Sequence, residues 1–207
     1  MKKFLTIIPL QTTKPMQYEA VDNPVLQMDE AVQFPILTAI SGYAQPGEEI
    51  RVIAVLTDNG KCRENLEKFS QAVEELCAGK GVSCSAGVEA VFIPEDDSVS
   101  THVETFQKLI EYVEDDDDLY TCMTFGTKPT SNVLLLAVQY AYRVKRNASI
   151  ACILYGQVVR PDSDDKTTWF GKVYDMTTLV QLDEMVHLLA AANDPDPART
   201  IRRFLSL

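Results

Sequence analysis

The sequence predicts a doubly wound α/β fold: a mostly parallel sheet with helices on both faces, completed by a C-terminal β-hairpin plus helix. Three observations lead there. Apolar runs of strand length alternate with segments of helical period along almost the whole chain. The run Arg51 to Leu56 is apolar at every position after the arginine, which suits a strand covered on both sides rather than one facing water. Finally, 207 residues of which 46% are hydrophobic suffice for one substantial core. No internal repeat or low-complexity linker divides the chain. Residues 1–207 are therefore expected to form a single ligand-binding domain, either free or as the N-terminal part of a longer effector.

The elements follow in order. Phe4 to Leu10 is the first strand. A polar connection rich in Thr, Gln and Pro runs from Gln11 to about Gln33, and a helix from Phe34 or Pro35 to Tyr43 precedes the turn Gln45-Pro46-Gly47. Arg51 to Leu56 is the second strand, closed by the turn Thr57-Asp58-Asn59-Gly60. Leu66, Phe69, Val73, Leu76 and Cys77 recur at helical spacing within Arg63 to Ala78, and Gly79 and Gly81 stop that helix. Val88 to Ile93 is the third strand, ended by Pro94. Ser98 or Ser100 caps a helix that runs to about Val113, with His102, Phe106 and Leu109 inward. Leu119 to Thr124 is the fourth strand. The helix behind it carries Val133 to Val138, apolar on most faces, and is expected to be central and deeply packed. Ser149 to Val158 and Trp169 to Tyr174 are strands joined through the polar turn Pro161 to Lys166, a hairpin expected at the sheet edge. Thr177 or Thr178 opens a helix through Leu189, Asp194-Pro195-Asp196-Pro197 breaks it, and Ile201, Phe204 and Leu205 mark a last amphipathic segment.

Bulk properties exclude some functions. The net charge of -11 argues against broad capture of duplex nucleic acid, whose affinity comes mostly from Lys and Arg on phosphates. A single anionic ligand held locally stays allowed. The acidic run Glu114 to Asp118 is expected to be a solvated helix end and turn. Cys62, Cys77, Cys84, Cys122 and Cys152 are odd in number and form no CxxC pair, so neither a disulfide framework nor a zinc site is indicated, and a reducing cytoplasm fits. No stretch is long enough and apolar enough to be a membrane span. The apolar start after Met1-Lys2-Lys3 is a strand rather than a signal peptide.

In an open α/β sheet, ligands bind beyond the carboxyl ends of the strands, where strand order reverses. The candidates are Pro9 to Thr13 after the first strand, with Gln11, Thr12 and Thr13 foremost, Asp58-Asn59-Gly60 after the second, Thr124 to Ser131 after the fourth, and Gly156 and Gln157 within the fifth or just past its apolar run. The fourth-strand loop is the richest. Gly126 allows close backbone approach, Thr124, Thr127 and Thr130 supply hydroxyls, Lys128 supplies positive charge, and a helix N-terminus follows, which together suit an anion. The spacing is neither GxxxxGK[ST] nor GxGxxG.

The segment Thr124-Phe125-Gly126-Thr127-Lys128-Pro129, with an apolar helix behind it, resembles the T-G-G-T-K-P motif of CARF domains, the CRISPR-associated Rossmann-fold sensors of type III systems. Phe125 stands where that motif has its first glycine. Phe4 to Gln11 and Val173-Tyr174-Asp175-Met176-Thr177 also resemble family segments, and the order of elements agrees over nearly the whole chain. The resemblance implies a Rossmann-like homodimer that binds one cyclic oligoadenylate, a tetra- or hexa-adenylate, across its two-fold axis in antiviral defence. It implies no cofactor and no metal. Mapped onto this chain, it puts Lys128 and neighbouring amides on phosphate, and Gln11, Thr12 or Thr13 on ribose or adenine. Asn59 and Gln157 are further candidates for adenine edges.

Three functions stay open at this point. One is a binding module, a cyclic oligoadenylate sensor. Another is a metal-independent ring nuclease on the same scaffold, in which the ligand's 2′-hydroxyl attacks the adjacent phosphate while Thr12, Thr13 and Lys128 align it and stabilise charge. The last is a Rossmann-like domain for an unrelated nucleotide or a structural interaction. His102 and His187 are expected to be packed or half-buried rather than catalytic.

Overall fold

The fold is taken from a computed structural model, in which residues 1–162 and 165–205 are described. It is a Rossmann-like α/β domain with a seven-stranded sheet. Strands β1 (Lys2–Ile7), β3 (Ile50–Thr57), β4 (Val88–Ile93), β5 (Asp118–Cys122) and β6 (Ser149–Val159) run parallel. Strand β7 (Phe170–Asp175) returns antiparallel to β6, and the short β2 (Tyr18–Ala20) pairs with β7. Across the sheet the order is β2-β7-β6-β5-β1-β3-β4.

Side-chain alternation divides the core into two layers. Phe4 and Ile8 of the first strand and its exit face one side, with Ile36, Leu37 and Ile40 of α1 (Ile36–Tyr43) and Phe69, Val73 and Cys77 of α2 (Gly60–Lys80). Leu5 and Ile7 face the other, with Leu109 of α3 (Val99–Ile110) and Val133, Leu134, Ala137, Val138 and Ala141 of α4 (Lys128–Val144). Helix α5 (Thr177–Ala191) rests on β6 and buries Val180, and α6 (Pro197–Leu205) packs on α5. The chain winds from β1 through β3 to β4 and then restarts at β5 on the other flank of β1. The order therefore reverses between β1 and β5.

Three expectations change in detail. The connection after β1 contains a strand: Tyr18 of β2 lies over Gly171 of β7, where a Cβ would stand 2.4 Å from the Tyr18 ring. The hairpin of β6 and β7 is thus covered at its outer side by β2. Its turn, Pro161 to Lys166, is described only in part because residues 163 and 164 lie outside the described residues. The acidic run is not wholly solvated, since Asp117 is buried and meets the buried ammonium of Lys3 at 2.7 Å. Glu114 and the carbonyl of Tyr112 complete that site, which lies at the amino ends of the strands. Helix α4 is apolar on more sides than the sheet can cover, so Leu136 and Val144 stay exposed. No helix among the described residues is long and apolar enough to cross a membrane.

Candidate functional site

The reversal of strand order opens a crevice of about 610 Å³ beyond the carboxyl ends of β1, β5 and β6. Its walls come from three places: the loop Pro9 to Met16 after β1, the turn Thr124 to Gly126 after β5, and the base of the β6–β7 hairpin, which contributes Val158, Arg160 and Trp169. Tyr18 and Gln33 line it as well. Burial pushes the Tyr18 hydroxyl up to about 12, so it stays a neutral phenol at any physiological pH.

The β1 loop is held from below. Buried Asn65 of α2 donates its amide to the carbonyls of Pro9 at 2.8 Å and Gln11 at 3.0 Å, and Cys62 lies one turn earlier with its thiol against the same Pro9 carbonyl. An antiparallel bridge between Met16 and Val32 then ties off the excursion that follows. That bridge brings Thr13 and Gln33, twenty residues apart in sequence, into one wall. Thr13 Oγ1 and Gln33 Nε2 are buried without a hydrogen-bond partner.

The β5 turn demands its glycine. Gly126 has φ of +93°, and a Cβ there would stand 2.8 Å from Ile7 Cγ2. The two residues that follow begin α4. Thr127 is its N-cap, with Oγ1 accepting from the amide of Thr130 at 3.4 Å and lying 2.9 Å from the Thr130 hydroxyl. Thr127 Oγ1 also donates to Asp97 at 3.2 Å. Lys128 is exposed next to that N-terminus. Pro129 occupies the first turn, where a missing N–H costs nothing.

No protein-family model and no curated protein matches this chain. The residues singled out from the sequence therefore stand on geometry alone. Gln11, Thr12, Thr13, Thr124 and Gly126 are brought together in the crevice. Within it the Thr124 hydroxyl already accepts from the amide of Gly156 at 2.7 Å and so fastens β6 to the turn. Gly156 is buried beneath Pro35, where a Cβ would stand 2.6 Å from Pro35 Cγ. Thr130 is buried in the cap. Gln157 faces away from the crevice and accepts from the Tyr174 hydroxyl at 3.0 Å. Asn59 caps α2 by accepting from the amide of Cys62 at 2.9 Å.

Arg160, Trp169, Gln33 and Asn65 escaped the reading of the sequence. A signal existed for Asn65, a polar residue at an inward position between Cys62 and Phe69. For Gln33 there was none, because its placement depends on the bridge between Met16 and Val32. His102 is half-buried beside α4 with no hydrogen bond to either ring nitrogen, though its ring lies 3.5 Å from Asp97; His187 is exposed. Neither lines the crevice.

Charge of both signs lies along this edge of the sheet. Asp58, Glu95, Asp96 and Asp97 follow β3 and β4, whereas Lys14, Lys128 and Arg160 surround the β1–β5–β7 side. Hydrogen bonds from Ser98 and Thr101 hold the Asp96 carboxyl below its ordinary value and keep it charged. Asp97, which accepts from the N-cap Thr127, brings one of these carboxylates beside the start of α4, so charge of both signs meets there.

Proposed function

We propose that this chain binds a cyclic oligoadenylate across a homodimer, as a sensor in a type III CRISPR response. The observation that carries the proposal is the crevice at the reversal of strand order, whose lining ends at Gly126, two residues before exposed Lys128 at the start of α4. Backbone N–H groups and an ammonium suit a phosphate, while the neighbouring crevice suits a nucleoside. A two-fold dimer doubles both features to match a ring with repeated units.

The apolar face shared by α3 and α4 supports the dimer. It is a groove of about 510 Å³ that starts at Pro129, beside Lys128, and continues past Val103, Leu136 and Val144. A second copy seated there with the two-fold axis toward Pro129 would bring two Lys128 side chains to one mouth.

The crevice lining holds neither a histidine nor a carboxylate among the described residues. A base for deprotonating a 2′-hydroxyl is thus missing from its walls, which favours binding over ring cleavage. Calorimetric titration with cyclic tetra-adenylate and cyclic hexa-adenylate, followed by mass spectrometry of the recovered ligand, tests the proposal. One intact ring bound per dimer is expected. Linear products with cyclic phosphate ends would make the chain a ring nuclease, and no heat with either ring would overturn the proposal.

A further inference from the structure

We infer that His102 and Asp97 form a pH-sensitive latch between α3 and α4, in which the protonated imidazole takes over the Asp97 carboxylate and cancels its negative charge beside the start of α4. The inference rests on the anion-binding reading of that helix start and adds its regulation. His102 lies near the start of α3 with its side chain 13% exposed, and neither Nδ1 nor Nε2 has a hydrogen-bond partner. Nε2 stands 3.5 Å from Asp97 Oδ1, long for a hydrogen bond and close enough for an ion pair. A neutral imidazole carries one donor and one acceptor, whereas the imidazolium carries two donors. Buried polar atoms are ordinarily paired, and protonation gives this imidazole a partner within reach.

Asp97 is placed to respond. The neighbouring Asp96 is engaged elsewhere: it accepts from the amide of Ser98 at 3.0 Å and from the hydroxyl of Thr101 at 2.8 Å. Among the described residues, Asp97 accepts a hydrogen bond from Thr127 Oγ1 alone, at 3.2 Å, and its side chain is 62% exposed. Solvent protons therefore reach the pair, and the carboxylate can turn from Thr127 to His102 by rotation of its own side chain.

Few other charges face this imidazole. Asp96 is close enough that His102 contributes to holding its carboxyl ionised. Across the groove α4 presents uncharged Pro129, Asn132, Val133 and Leu136, with Arg143 at the far end and Lys128 just before Pro129. On α3 itself Glu104 points to another side of the helix, and Lys108 donates to the carbonyl of Phe92.

Thr127 is the N-cap of α4, so the Asp97 carboxylate occupies the place where a helix start attracts an anion. Pairing with His102 cancels that charge and releases the Thr127 hydroxyl beside Lys128. Anion binding should thus strengthen as pH falls through the histidine range, from about 8 to about 5.

The test follows the amide signals of Thr127 and Thr130 in the full chain by NMR over that range, with the exposed imidazole of His187 as control. In the wild type both amides are expected to shift together with the His102 imidazole signals. That transition should vanish in His102→Gln and shrink severalfold in Asp97→Asn, whose carboxamide keeps an acceptor for Thr127 without the charge. Amides that stay still, or that shift equally in both variants, would overturn the latch. Binding of cyclic tetra-adenylate and cyclic hexa-adenylate, whose phosphodiesters keep their charge throughout, is measured at both ends of the range. Affinity is expected to rise about threefold or more toward acid in the wild type and to stay level in His102→Gln, because one exposed charge is neutralised in each copy. Asp97→Asn should bind at the alkaline end as tightly as the wild type does at the acid end. Equal wild-type affinity at both ends would overturn the latch and leave the ring-binding proposal standing. Binding of neither ligand at any pH would remove that proposal, and the amide signals alone would then decide the latch.

Discussion

At the scale of single residues, the chain keeps its buried ion pair away from the candidate site. Lys3 is wholly buried between Asp117 at 2.7 Å and Glu114 at 2.9 Å, at the amino ends of the strands. Replacing it by methionine keeps the volume but leaves the buried Asp117 carboxylate with only the Glu114 amide at 2.6 Å and the N-terminal ammonium at 3.5 Å. Lys3→Met is therefore expected to cost about 3–5 kcal/mol, read from denaturant unfolding, whereas exposed Lys128→Ala should leave stability within about 0.5 kcal/mol. The pair also sets a pH dependence. The hydrogen bond and charge of Lys3 hold the Glu114 carboxyl below its ordinary value of 4.5, and Lys2 does the same for Glu48. A carboxyl depressed in the folded state stabilises fully above its unfolded value, and that contribution is lost as pH falls through the folded value. The thermal midpoint of the wild type should accordingly drop as pH falls below about 4.5, and the drop should be shallower in Lys3→Met. An equally steep drop in the variant would contradict the assignment.

Among elements, α2 does more than cover the sheet. Its inward stripe of Cys62, Phe69, Val73 and Cys77 is interrupted by buried Asn65, whose amide fixes the carbonyls of Pro9 and Gln11. Asn65→Leu retains the apolar packing and strands those two carbonyls, so it should cost about 1–3 kcal/mol and loosen the β1 loop. Hydrogen exchange is expected to rise at Leu10 to Lys14 with little change in α2 itself; uniform exchange across both would refute a local role. This residue also marks where the sequence stopped being legible. Long elements declared themselves through period and punctuation: α2 through Phe69, Val73 and Gly81, α4 through its Pro129 start and apolar run, and β3 through its unbroken apolar stretch. The short β2 did not, because three residues carry no period and Tyr18 is placed by its fit over Gly171. The crevice was legible in position, since strand ends follow from strand order, and Thr12, Thr13 and Gly126 fall there. Other parts of its lining were not, because Gln33 and Trp169 reach it through a bridge and a hairpin that pair residues distant in sequence.

For the whole molecule, the proposed ring ligand poses the question of how an acidic chain would hold a polyanion. Its net charge is -11, so the long-range field repels nucleic acid, and attraction has to come from a few groups within a Debye length of the ligand. Lys14, Lys128 and Arg160 in one copy are few; two copies facing each other double them without altering the outer surface. The face for that meeting is the one that α3 and α4 leave open, where Val99 is 79% exposed, Val103 50%, Leu136 45% and Val144 61%. Its upper end at Pro129 is continuous with the α4 N-terminus, so in the proposed dimer burying it would also bring the two helix starts into play. Leu136→Asp should convert a dimer to a monomer in sedimentation equilibrium, because two carboxylates would oppose each other near the axis. Since Leu136 bears little on the core, the thermal midpoint measured at low protein concentration should move by less than about 2 °C. Ring binding should fall by at least tenfold, whereas quenching of Trp169 by millimolar adenosine monophosphate should survive, as one crevice lies wholly within one copy. A dimer that persists in Leu136→Asp would move the interface to the other apolar surface, where Leu179, Val186 and Phe204 of α5 and α6 are exposed, and would separate the two Lys128 side chains from any shared mouth.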